Sequence, residues 1–179
     1  RIQIDWKKES PPVPDFLGRR TVDDISLQQI AEYIDWTYFF LTWELKGKFP
    51  KILEHPKYGE AARELYKNGK ALLRQIIVDR LLTARGVYGF WPASSDGDDI
   101  ILYTDDTRFS ELLRLNMLRQ QEVFQASKHN ISLADFIAPV DSGIKDYLGA
   151  FAVTTGIGSK ELSEDFEKEL DDYNSIMVK

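Results

Sequence analysis

The stretch from residue 56 to residue 82 restricts the fold more than any other part of the chain. Tyr58, Ala61, Ala62, Leu65, Tyr66, Leu72, Leu73, Ile76, Ile77 and Leu81 recur at three- and four-residue intervals, the spacing that lines one face of an α-helix. Gly69 falls on the same stripe, where a missing Cβ permits close packing. Pro56 suits a first helical turn. The spacing predicts a helix on the order of 40 Å long at the standard rise per residue. Such a helix exposes one apolar face that a second layer has to cover.

The flanking segments supply candidates for that layer. Residues 26–34 (SLQQIAEYI) read as a short helix capped by Ser26. Trp36, Phe39, Phe40 and Trp43 then occupy i, i+3, i+4 and i+7 of a further helix that Gly47 and Pro50 end. Pro11, Pro12 and Pro14 exclude a regular helix from residues 1–25, which read as an extended N-terminal arm. From Gly86 the period changes. GVYGFWPA reads as a strand, SSDGDD as a turn and IILYTD as a second strand, a hairpin. In residues 108–118, Ser110, Leu112, Arg114 and Asn116 interleave with Phe109, Leu113, Leu115 and Met117, which favours a third strand over a helix. YLGAFAVTT reads as a buried strand. Its Gly149, Ala150 and Ala152 suggest close approach by another backbone or a ligand. Residues 159–177 read as one acidic amphipathic helix with Leu162, Phe166, Leu170, Tyr173 and Met177 inside. Helices, then strands joined by short turns, then a helix imply an α+β fold with an antiparallel sheet.

Composition removes several functions. The 23 basic and 29 acidic side chains leave a net charge of −6, against the basic patch of a nucleic-acid binder. The chain has no cysteine, so it builds no disulfide, thiolate metal site or cysteine nucleophile; this is compatible with the cytoplasmic location the reading assigns. His55 and His129 are too few for a His-rich zinc site. No apolar run reaches the length of a membrane span. Neither a Gly-rich dinucleotide fingerprint nor a P-loop occurs, and the serines lack the G-x-S-x-G context.

Seven segments in order carry a resemblance. They are IDWTYFFLTWELKGKFPKIL (34–53), RGVYGFWPAS (85–94), GDDIILYTDDTR (97–108), LRQQ (118–121), LADFIAP (133–139), YLGAFAVTTG (147–156) and DDYNSIMVK (171–179). Together they resemble the activation domain of cobalamin-dependent methionine synthase. The resemblance implies a twisted antiparallel sheet with flanking helices. It also implies a module that binds S-adenosylmethionine and reactivates the enzyme by reductive methylation of cob(II)alamin. Cobalamin would be held by another module of the same polypeptide, zinc by yet another, and the electron would come from flavodoxin or an equivalent donor. The expected enzyme is the 5-methyltetrahydrofolate–homocysteine methyltransferase of methionine biosynthesis. Residues 26–179 are expected to be a partial activation domain, cut at its C-terminal side, because the family's R-P-A-x-G-Y-P ligand motif is absent. Arg1 in place of an initiator methionine leads to the expectation that the chain was cut from something longer or processed. The alternative is a structural platform for flavodoxin or the cobalamin module that binds no ligand by itself.

One ligand contact carries over. Asp35, in IDWT, matches an aspartate that contacts S-adenosylmethionine in the family, and a carboxylate can accept hydrogen bonds from its α-ammonium or its ribose diol. By residue type alone Asp35 reads as a helix N-cap. Tyr38 stands where the family has a proline. No residue is expected to act as a general base or nucleophile, and no metal ligand is assigned. The aromatic stripe of Trp36, Phe39, Phe40 and Trp43 reads as core rather than as a stacking surface. Lys46, Lys48 and Lys51 read as solvated surface or a contact for an acidic partner such as flavodoxin. Asp96, Asp98 and Asp99 fit a calcium loop poorly and read as a polar turn. The carboxylates of residues 161–172 read as a solvated face.

Overall fold

The computed structural model describes residues 2, 4–6, 8–23, 25–122, 129–154 and 156–179. The chain forms two compact units: Arg1–Thr21 with Val87–Ala152, and Val22–Gly86 with Val153–Lys179.

The first unit is built on a sheet in the order β1 (Gly18–Val22), β2 (Gly86–Asp96), β3 (Asp99–Tyr103), β4 (Glu111–Asn116), with β5 (Asp146–Val153) also paired to β2. β2, β3 and β4 are antiparallel neighbours, with Ala93 opposite Leu102 and Leu102 opposite Leu113. Gly97 and Asp98 form the tight β2–β3 turn, and Gly97 takes the φ of +59° that such turns require. Pro92 has no N–H to give to a ladder, and the β3 register starts one residue after it. Beyond that point the other edge of β2 is met by the chain before β5: the Ser95 N–H donates to Ala138 O at 3.0 Å and the Ser95 hydroxyl to Ile137 O at 2.8 Å. Ala93, Ile100, Leu102 and Ala134 form the core, with Trp91, Leu115, Met117, Ile137 and Leu148 against it. Two sequence expectations change here. The arm of residues 1–25 ends in a strand, since β1 joins β2. β5 is a strand but is not buried: Phe151 is 79% and Val153 67% exposed. Close approach at Gly149 comes from a side chain, for a Cβ there would lie 2.9 Å from the Phe90 ring.

In the second unit, α1 (Leu27–Ala31), α2 (Trp36–Thr42) and α3 (Gly59–Val78) are followed, late in the chain, by α4 (Ser159–Lys168) and α5 (Asp172–Val178). α3 buries Ala62, Leu65, Gly69, Leu72 and Ile76, the stripe read from the spacing. It is shorter than that stripe, about 30 Å at the standard rise for its 20 residues. His55 sets its start: its Nδ1 accepts the Lys57 and Tyr58 N–H groups at 3.1 and 3.2 Å. Arg80, at φ +53°, ends it, and the Leu81 N–H closes back on Ile76 O. Phe40, Ile52, Ala62 and Leu65 form the core of this unit, with Trp36, Phe39, Trp43 and Tyr66 packed on it. The aromatic stripe is therefore core, as its spacing implies. α2 stops at Thr42, before Gly47, and Glu44 takes a left-handed φ of 59°. The acidic C-terminal segment is two helices rather than one. Leu170, at φ +61° and 89% exposed, breaks it, and Asp171 caps α5 by accepting the Asn174 N–H at 3.1 Å. Ser163 and Ser175, both buried, join the two helices through a 2.9 Å hydroxyl contact.

Candidate functional site

Asp35 is placed by the aromatic residues that follow it. The Trp36 ring meets Phe39 edge-on at 5.3 Å and Tyr66 of α3 at 4.9 Å, and Gly69 leaves room for the Trp36 and Phe39 rings. A Cβ on Gly69 would sit 2.9 Å from Phe39 Cζ. α2 is thereby pinned to α3, and Asp35 stands at its N-cap with φ −82° and ψ 94°. Its Oδ1 accepts the Thr37 N–H at 2.9 Å, and Oδ2 accepts nothing from a described residue. The carboxylate is exposed. Both readings of Asp35 thus have a physical counterpart: one oxygen caps the helix, and the other is free for an ammonium or a hydroxyl. A cavity of about 350 Å³ opens beside Trp36, lined also by Glu32, Tyr66, Lys70 and Arg74.

Residues 26–179 match the family model described as the vitamin B12 dependent methionine synthase activation domain. The chain belongs to this family. A solved structure of the MetH reactivation domain bound to AdoHcy is similar over 99% of this chain at 44% identity, with a TM-score of 0.92. The match covers 54% of that chain, so the present chain spans about half its length.

The activation-domain segments that carry the resemblance converge in space. Arg119, from LRQQ, donates to both carboxylate oxygens of Asp135, from LADFIAP, at 2.6 and 2.7 Å, and to Asp98, from GDD, at 2.6 Å. The Asp135 side chain is fully buried and also accepts the Ser132 N–H at 3.1 Å in a capping box. The hydrogen bonds it donates to Asp135 and then Asp98 push the Arg119 guanidinium pKa upward. Arg108, from YTDDTR, donates to Ala93 O at 2.7 Å, to the Ser94 hydroxyl at 3.2 Å and to Asp146 O at 2.6 Å, tying the turn after β3 to β2 and β5. Beside it Asp106 accepts from Lys145 at 2.5 Å and from the Tyr147 hydroxyl at 3.0 Å. The Lys145 contact, with the Tyr147 hydroxyl, holds the Asp106 carboxyl below the usual carboxylate range. Burial, and the hydrogen bond to Asp106, push the Tyr147 phenol up.

The acidic turn is likewise occupied by protein donors. Asp96 takes Arg114 at 2.9 Å, and Asp99 takes the Asn116 amide at 3.0 Å and lies 3.5 Å from Arg114. Among the described residues no group of His, Asp and Glu side chains is arranged to hold a metal ion. No described helix is long and apolar enough to cross a membrane. Sequence reasoning missed the Arg108 and Arg119 hubs. The only signal was that each arginine stood inside a segment carrying the resemblance, and nothing local named its partners 11 to 38 residues away.

Proposed function

We propose that this chain carries part of the S-adenosylmethionine site of a cobalamin-dependent methionine synthase and serves its reactivation. The enzyme would be the 5-methyltetrahydrofolate–homocysteine methyltransferase of methionine biosynthesis, a cytoplasmic protein. The carrying observation is the 44% identity over 99% of the chain to a reactivation domain bound to AdoHcy. AdoHcy is what S-adenosylmethionine becomes when its methyl group leaves. In this reading residues 26–179 are the activation-domain portion and residues 1–25 the arm leading into it.

When bound, S-adenosylmethionine would supply the sulfonium methyl group for reductive methylation of cob(II)alamin, the electron coming from the donor protein, and would leave as AdoHcy. Cobalamin is held by another module of the polypeptide, and zinc by a further one. This chain contributes positioning, not proton transfer. The free oxygen of Asp35 takes the α-ammonium or the ribose diol, and the Trp36–Phe39–Tyr66 packing fixes where that oxygen stands. Flavodoxin or an equivalent acidic donor meets exposed Lys46, Lys48 and Lys51, none of which is ion-paired with a described residue. High salt should weaken that encounter.

Calorimetric titration of S-adenosylmethionine tests the reading, with this chain beside a longer protein of the length of the AdoHcy-bound domain. Binding to the longer protein supports it. Binding to neither overturns it. The platform reading, in which the ligand site lies outside this chain, is favoured by one fact: Asp35 Oδ1 already caps α2. It predicts that the longer protein binds equally well with and without the Asp35 carboxylate.

A further inference from the structure

Two aromatic side chains flank Asp35 in the sequence and stand open to solvent. Tyr33 is 86% and Tyr38 71% exposed, whereas the other rings of the same segment, Trp36, Phe39 and Phe40, pack into the core. Neither Tyr33 nor Tyr38 makes a ring contact or a side-chain hydrogen bond with a described residue. Tyr38 is three residues beyond Asp35, and its N–H donates to Asp35 O at 3.2 Å, so the two side chains stand one helical turn apart. Side chains so related have Cβ atoms about 5–6 Å apart. In S-adenosylmethionine the α-ammonium and the sulfonium are separated by four bonds, about 5 Å in the extended form by ordinary bond lengths. A ligand held by its ammonium at Asp35 thus has its second cation about one side-chain spacing away, which puts the Tyr38 ring within reach of it.

Aromatic faces attract such cations through the ring quadrupole. We propose that Tyr38, joined by Tyr33 two residues before Asp35, forms an aromatic wall that recognises the sulfonium charge and makes this site prefer S-adenosylmethionine over AdoHcy. The inference rests on the reading of Asp35 as the ammonium contact. It adds a specificity that the carboxylate cannot supply, because both ligands carry the ammonium and only the methyl donor carries the sulfonium. Preference for the charged form also favours exchange of spent ligand for fresh donor.

The sulfonium and its thioether make a matched pair of probes. Dissociation constants for S-adenosylmethionine and AdoHcy are measured by calorimetry on the full-length protein, for the wild type, Tyr38→Leu, Tyr33→Leu and Tyr38→Phe. Tyr38→Leu is expected to weaken S-adenosylmethionine about fivefold and AdoHcy less than twofold, the size of an exposed cation–π contact. Tyr33→Leu should act in the same sense, and Tyr38→Phe should keep the wild-type ratio because the ring face is retained. Both positions are exposed, so the fold should survive each change. Equal weakening of both ligands, or no change in either, overturns the aromatic wall while leaving the ligand site standing. Failure of the wild type to bind either ligand overturns the ligand site and the wall with it.

Discussion

Replacing Asp35 separates the two duties its carboxylate is assigned. As a cap, Oδ1 accepts the Thr37 N–H at 2.9 Å. Alanine removes that acceptor, and loss of an N-cap costs about 1 kcal/mol, within a range of roughly 0.5–2. Serine keeps an oxygen at the cap and is about as good a cap as aspartate, so its stability should stay within a few tenths of a kcal/mol, roughly. As a ligand contact, the other oxygen takes a charged donor. Hydrogen bonds to charged groups contribute about 1.5–3 kcal/mol, which is roughly 10- to 150-fold in affinity. Asp35→Ser should therefore unfold at the wild-type urea midpoint yet bind S-adenosylmethionine at least about tenfold more weakly. Asp35→Ala should fail on both measures. Undiminished affinity in the serine variant would refute the ligand contact, and equal destabilisation by serine and alanine would refute the cap.

Three further changes test the scaffold. In Gly89→Ala the new Cβ would lie 2.6 Å from Gly18 O and 3.0 Å from Arg19 Cα. The β1 backbone, with the Trp91 ring also 2.6 Å away, leaves it no room, so β1 should leave β2, with a loss of about 1–3 kcal/mol and faster amide exchange over residues 18–22. Leu170→Gly relieves a φ of +61° at a side chain that is 89% exposed, so it should raise stability by up to about 1 kcal/mol in urea titration. Lys145→Met removes the main cause of the lowered Asp106 pKa. A depressed carboxylate stabilises above its unfolded value of about 4 and loses that contribution as pH falls through the folded value. The stability gap between Lys145→Met and wild type should thus be present near neutrality, below about 1 kcal/mol for so exposed a pair, and should close on acidification below about pH 4.

Local rules made most of the fold legible. Three-four spacing located α3 and its buried face, and the Asp96–Asp99 turn was visible as a polar break between two apolar runs. The errors arose where a non-local partner or a single backbone angle decides. The small, apolar run of β5 looks like a buried strand, but nothing among the described residues covers Phe151 or Val153. The spacing of Leu162, Phe166, Leu170 and Tyr173 fits one helix. A left-handed φ at a non-glycine residue leaves little trace in such a pattern, and Asp171, read as part of a solvated face, in fact caps α5. β1 was unreadable because five residues containing two arginines carry no alternation, and their strand character comes from β2.

The site was legible only through the resemblance, and the geometry explains why. GDD, LRQQ and LADFIAP meet at Arg119, while FWPAS, TDDTR and the start of β5 meet at Arg108. Those segments are spent on holding the sheet together: their charged groups are paired with one another and have little left to offer a ligand. A buried carboxylate such as Asp135 requires an arginine at that geometry, because breaking the pair would strand an uncompensated charge. IDWT differs. Its tryptophan is locked into the helical core, while its exposed aspartate has one oxygen that accepts no hydrogen bond from a described residue, and the tyrosines at positions 33 and 38 are exposed. Rigid anchoring behind an open polar group is the arrangement that holds a ligand in register at low entropic cost. Of all the segments carrying the resemblance, IDWT is therefore the one that best suits the proposed ligand contact, because among the described residues its charge is only partly taken up by the fold.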